Sequence, residues 1–277
     1  MFRATPGKLP AADTTEIGGV KLPPGKAVNS QGGEEIAWIS ADVVPADQLG
    51  ALIRDLAAVF GTTGLWPLQA HGRGQDGPDS WDGDVPGDVG DDAAWSGGDL
   101  GQPWGDGELA GPESTVGDAL PVLLRLGAEN ADADDPDADP DRPAAVTALA
   151  AAVPGAELPA GALDVEGAGA LLLVPVARPA DVPHAVGWLG ASDDGLSGTE
   201  VSSVLRSWEE RFGAVPVSIG DDALMLQVAR PPQSPEQLDG VLSEHYAFCP
   251  DNVDRGEGTA AYREGLTEWT HWSFWWD

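Results

Sequence analysis

The chain is poor in most of the residues that announce a function. Its 277 residues include one cysteine, two methionines and two tyrosines, and 14 lysines plus arginines against 46 acidic residues. One cysteine cannot close an internal disulfide, which excludes a disulfide scaffold. The shortage of bases argues against nucleic acid, whose phosphates need Lys and Arg to displace counterions. It argues equally against an anionic membrane surface. No apolar run approaches the roughly 20 residues of a spanning helix. The opening MFRATPGKLPAADTTE lacks the apolar stretch of a secretory signal. Together these absences predict a soluble cytoplasmic protein with neither nucleic acid nor membrane as its partner.

The motifs of common chemistries are also missing. There is no Walker pattern, no GxSxG elbow, no SxxK, and no CxxC, HxH or HExxH. Gly72-Arg73-Gly74 and Gly97-Gly98 are not placed between a strand and a helix, as a phosphate loop would be. The sequence therefore implies no cofactor and no metal. The acidic run 132–141 lacks the glycine turn and closing glutamate of a calcium loop, so a solvated charge run is the better reading.

What the chain does have is acid, tryptophan and punctuation. The formal net charge is −32 and there are 11 tryptophans. The acid is uneven: residues 71–143 hold 19 acids and 3 bases, a net of −16, whereas residues 170–277 hold 17 and 6, a net of −11. Five organisational units follow. Residues 1–34 are a Pro- and Gly-rich arm without periodicity. Residues 35–128 are a helix-and-strand region carrying an acidic loop with Trp81, Trp95 and Trp104, of which Pro103-Trp104 is the segment expected to dock on the body. Residues 129–143 are an acidic linker or insert. Residues 144–169 are a short Ala-rich helix, over 144–153, and a connector. Residues 170–277 form a compact unit.

Within the first region, residues 37–40 and 64–68 read as strands. Leu49, Leu52, Ile53, Leu56, Val59 and Phe60 recur at helical spacing before Gly61. Residues 120–126 are a short apolar island. In the last unit, 171–176, 185–189, 215–219, 223–228 and 271–276 read as strands. Helices are expected from Ser197 with its capping partner Glu200, from Ser234 with Gln237, and over 259–269. Hairpin and crossover connections mix, which predicts an α+β fold: a mixed C-terminal sheet packed by about three helices.

Several segments then look familiar together. VLRSWEERFGA at 204–214, ARPP at 229–232, EHYAFCPD at 244–251 and the ending FWWD at 274–277 resemble an uncharacterised bacterial family, domain-of-unknown-function family 4253. TGLWPL at 63–68 and PWGDGEL at 103–109 resemble segments of its longer members. The resemblance brings no assigned activity. It implies a boundary near residue 168.

His245 and Cys249, with Glu244 beside them and Arg206 on the preceding helix, are the most enzyme-like group, because a thiolate needs a neighbouring cation or base. The competing reading is a buried histidine and a buried thiol: His245 falls on the apolar face of its helix, and Cys249 precedes Pro250. Arg206, Glu209, Glu210 and Arg211 can pair at i, i+3 or i+4 or offer a partner-facing patch. On the last strand, Trp272, Phe274 and Trp276 point one way and Trp275 the other. Trp275 and Trp272, with Arg206 and Arg211, are the candidate partner contacts. The leading expectation is a non-enzymatic interaction module, immunity-like in one form, that recruits a basic protein by electrostatic steering. The alternative is an enzyme with a site at His245, Cys249 and Arg206.

Overall fold

The computed structural model describes residues 1–71, 115–131, 142–256 and 258–276. Expectations for 72–114 and 132–141, including the docked Trp104 and the acidic run, fall outside the described residues.

The first elements correct the reading of an unstructured arm. β1 (Glu16–Ile17) and β2 (Val20–Lys21) form a hairpin closed by Gly18 and Gly19, whose φ angles of 57° and 88° supply the left-handed turn that such tight hairpins need. β3 (Gly25–Asn29) then pairs antiparallel with β4 (Glu35–Ser40). No alternating apolar pattern announces these strands, because β3 lies at a sheet edge and buries little. α1 (Ala46–Thr63) follows. It runs past Gly61 and ends at Gly64, whose φ is 65° and whose N–H returns to Phe60 O. β5 (Leu65–Ala70) is buried at every position.

The apolar island at 120–126 belongs to α2 (Ala119–Ala131), which reaches into the segment read as linker. Residues 144–153 form no helix, despite five consecutive strong formers at 148–152. Their backbone is held by side chains and loops instead: the Ala150 N–H donates to Glu244 and the Val153 N–H to Arg211 O. Tertiary bonds override the weak preference of alanine here.

β6 (Ala170–Pro175) opens the last unit. No strand forms at 185–189: Ala185 and Val186 end a one-turn helix, α3 (Val182–Val186), that follows a 3-10 turn, Pro179–Asp181, and Gly187 caps it; Pro183 sits in its first turn, where its missing N–H costs nothing. α4 (Gly198–Phe212) and α5 (Pro235–Phe248) carry the two expected capping boxes, Ser197 with Glu200 and Ser234 with Gln237. Between them β7 (Val215–Ile219) and β8 (Ala223–Gln227) form a hairpin. α6 (Asp251–Asp254), α7 (Thr259–Gly265) and β9 (His271–Trp275) complete the chain. α7 is shorter than the 259–269 expected.

The fold is α+β. One seven-stranded mixed sheet has the order β3-β4-β6-β5-β7-β8-β9, antiparallel throughout except for β5 beside β7. That seam pairs at Gln69–Ser218 and Ala70–Ile219. Pro67 and Pro216 occupy its other end, where they cannot donate to a ladder. The Trp66 indole N–H donates there to Pro216 O at 2.9 Å. β6 lies between β4 and β5, so the sheet interleaves strands from both sides of residue 168. The expected boundary falls inside one sheet and its continuous core.

β4, β5 and β7 are buried at nearly every residue, which requires cover on both faces. α1 and a 3-10 turn at Ala160–Ala162 cover one face. α2, α3, α4 and α5 pack on one another over the other. At the β9 end, the second face holds Trp208, Phe212, Phe248, Trp272, Phe274 and Trp276. Their rings meet mostly edge to face at centroid distances of 5.0–5.7 Å, with Trp208 stacked on Phe274 at 5.2 Å.

Candidate functional site

The residues that read as chemistry gather where α5 meets β9. His245 is fully buried on α5, ringed by Trp208, Trp272 and Phe274 at 4.5–4.9 Å. Its Nδ1 lies 3.1 Å from the Tyr262 hydroxyl, and its Nε2 has no hydrogen-bond partner. Burial, helped by the nearby Arg211 charge, lowers its pKa to about 3. Cys249 is also buried, and burial raises its thiol to about 12. The thiol donates to Trp275 O at 2.8 Å and to Asn252 Oδ1 at 3.4 Å. Histidine and cysteine are therefore both neutral and are joined through Asn252 and Tyr262 rather than to each other. A thiolate–imidazolium pair does not form in this arrangement.

Asn252 was not singled out from the sequence, yet it organises the terminal strand. β9 is an edge strand with unpaired backbone groups on its outer side. The Asn252 amide copies a strand there: its Oδ1 accepts the Trp275 N–H at 3.2 Å and its Nδ2 donates to Ser273 O. The turn Cys249-Pro250-Asp251-Asn252 thus closes the sheet edge. The sequence signal was the Pro250 break after α5; the partner strand, some twenty residues later, carried no matching mark.

Glu244 is fully buried and accepts four hydrogen bonds: from Trp208 Nε1 (2.7 Å), Ala150 N (2.6 Å), and Arg211 Nη1 (2.8 Å) and Nη2 (2.7 Å). Arg211 is spent on this fork and on Ala150 O at 2.9 Å. The pairings of the α4 arginine patch differ from those expected along one helix. Arg206 reaches Asp181 at 2.6 Å. Glu209, only 1% exposed, is held by Arg178 and by Arg3 (2.9 Å), while Arg178 also takes Glu210 at 2.9 Å. These partners come from distant segments that helical spacing cannot reveal. Of the four candidate partner contacts, Trp272 is 1% exposed and Arg211 faces inward, whereas Arg206 and Trp275 reach the surface.

Trp275 is half-buried on the outer face of β9, and the Arg255 guanidinium lies 5.2 Å over its ring. The 188–195 loop closes on this end of the sheet, since the Trp188 indole donates to Gly220 O at 2.8 Å and Trp188 meets Trp276 at 5.5 Å. It brings Asp193 and Asp194 towards Asp251. Partial burial, then the charges of Asp251 and Asp193, raise the Asp194 carboxyl above its ordinary value, against a smaller opposing effect of Arg255.

The described residues also form surface clefts elsewhere. One of about 410 Å³ lies between 153–159 and 229–233. Its Arg230 is committed to Ala156 O and Glu210 O at 3.3 and 3.1 Å. A second, of about 280 Å³, lies between 21–24 and the start of α1. Neither is lined by His245, Cys249 or Glu244. Among the described residues, no group of three or more His, Cys, Asp or Glu is arranged to hold a metal, and no helix is long and apolar enough to cross a membrane.

None of the curated proteins and none of the solved structures compared matches the chain. Residues 170–277, from β6 to the last strand, match the family model described as a domain of unknown function (DUF4253).

Proposed function

We propose that the protein is a non-catalytic interaction module of the cytoplasm, and that the rim around Trp275 takes a basic protein partner. The observation that carries this reading is the placement of the reactive groups. His245, Cys249 and Glu244 are sealed in the core, and burial holds the His245 ring and the Cys249 thiol neutral; an enzyme needs its acid, base or nucleophile within reach of substrate. What meets solvent at the same end of the sheet is an aromatic ring under Arg255, with Asp193, Asp194 and Asp251 outnumbering that one cation, which Asp251 pairs at 3.4 Å. Arriving Lys or Arg side chains relieve the Asp193–Asp194–Asp251 repulsion, and Trp275 supplies apolar contact area of the kind that anchors interfaces. An immunity-like protein that neutralises a basic toxin is one concrete form of this activity.

Affinity capture with the wild-type chain and with Trp275→Ala in parallel tests the reading. We expect a lysine- and arginine-rich protein to be retained by wild type at low salt, released at high salt, and lost from the variant, with both chains melting alike. Equal retention by the two chains, or no retained protein at either salt, overturns it.

A further inference from the structure

We propose that residues 1–9 are a removable strap, and that the groove beneath them is a docking site for an extended partner segment carrying an aromatic residue followed by arginine. This surface lies away from Trp275 and does not depend on the reading given for it.

The strap is held by two side-chain anchors, by an ion pair of the Met1 ammonium with Glu157 at 3.1 Å, and by Ala4 and Leu9 packed at the edge of the core. Phe2 packs on Trp66 at a centroid distance of 4.8 Å, above the central strand β5. Arg3 Nη1 donates to Glu209 Oε1 at 2.9 Å. Two backbone bonds follow: Ala4 N–H to Ala177 O at 3.0 Å, and Gly7 N–H to Gly64 O at 3.1 Å. Here backbone meets backbone with no room for a side chain: a Cβ on Gly64 would lie 2.0 Å from Thr5 O, and one on Gly7 would lie 1.8 Å from Thr63 O. The groove is therefore shaped for a main chain with one apolar and one cationic anchor and, where Gly7 lies, a glycine. Thr5, Pro6, Lys8 and residues 11–13 are exposed, while Leu9 and Pro10 between them pin the segment to the body.

The strap can leave without stranding a buried charge. Arg178, more deeply set than Arg3 (14% against 40% exposed), keeps the second Glu209 oxygen at 2.5 Å. Departure costs two ion pairs, Met1 with Glu157 and Arg3 with Glu209, in each of which at least one partner is well solvated, and such pairs contribute little. It uncovers the Trp66 side of the core and one oxygen of Glu209, a carboxylate in a protein of net charge −32. Both features select an aromatic–arginine segment, and the resident strap displays that pattern. Because a tethered segment competes at an effective concentration near the millimolar range, the groove is masked in the resting protein.

The probe is a fluorescent peptide of residues 1–9 added to the full-length chain, either wild type or Phe2→Ala/Arg3→Ala. We expect the double variant to bind the peptide roughly tenfold or more tighter than wild type, as a site open a tenth of the time or less requires. The same two alanines placed in the peptide should abolish binding. Failure of the peptide to bind the variant, or equal binding to both proteins, overturns the proposal. If the double variant does not fold, amide exchange in the wild-type protein decides. Ala4 and Gly7 amides exchanging well ahead of the β5 and β6 amides support a strap that opens on its own. Exchange only with global unfolding overturns it.

Discussion

The two faces of β9 put the same residue type to opposite uses. On the inner face Trp272 and Trp276 are at most 3% exposed and lock into the ring cluster around Trp208. On the outer face Trp275 is half-buried under Arg255, which pairs with Asp251 at 3.4 Å, and Asp251 in turn acts on Asp194. The titratable groups divide along the same line. Inside, burial holds His245 neutral although its Nε2 finds no partner. At the rim, partial burial is reinforced by like charge, so Asp194 resists ionising in a place that water and ions reach. The contrast separates two ways of perturbing a side chain. Desolvation by a packed core is fixed by the fold and cannot be relieved from outside, whereas charge crowding at a surface can be relieved by something arriving.

The comparison breaks most visibly at the inner carboxylate. Glu244→Ala leaves the Arg211 guanidinium without its fork and strips the Trp208 and Ala150 N–H groups of an acceptor. Truncating one member of a buried pair costs about 3–5 kcal/mol, and urea denaturation should show that loss. A loss below about 1 kcal/mol would mean that the interior is wetter than its geometry says.

A smaller effect separates His245 from its neighbours by pH. Its folded pKa of about 3 lies below the ordinary 6.5. Below pH 6.5 the unfolded chain takes up a proton that the folded chain refuses, so stability falls as pH falls through the window between the two values. The slope approaches about 1.4 kcal/mol per pH unit. Between pH 7 and pH 5 the wild type should lose about 2 kcal/mol more than His245→Phe, which cannot take up that proton. Parallel losses in the two proteins would show that the histidine is not the titrating group.

Much of the inner face was legible in the sequence and little of the rim was. The capping boxes at Ser197 and Ser234, the ring positions Trp208 and Phe212 on α4, and the alternation of β9 are local signals, and local rules of period and capping found them. Glu244 was visible as a charge on α5, but its partners Ala150, Trp208 and Arg211 come from two other segments. Arg206 was matched with helix neighbours because spacing is all that a sequence displays; Asp181, 25 residues away, won the contact once α3 folded back on α4. β3 and the strap were missed because an edge strand and an extended segment bury too little to leave a pattern. The 144–153 helix was overcalled because alanine preference is weak beside the hydrogen bonds that the segment makes as an extended chain.

The smallest effect sharpens the comparison most, because it has opposite signs in stability and in binding. With the Asp194 pKa raised, the folded chain holds a proton that the unfolded chain has already released. Stability therefore falls as pH rises from the ordinary aspartate value through the raised one, and the cost persists above it. Asp194→Asn cannot ionise, so its melting temperature should match wild type near pH 4 and lie slightly above it at pH 7. Added salt should remove the share of that gain due to Asp251 and Asp193 and leave the share due to burial. A basic partner docked at the rim would relieve the same repulsion. The substitution that stabilises the free protein should then weaken capture of that partner, because the crowding it removes is the drive for a cation to bind. A stabilised Asn variant that still captures as strongly as wild type would detach the aspartates from the interface and leave Trp275 to act alone.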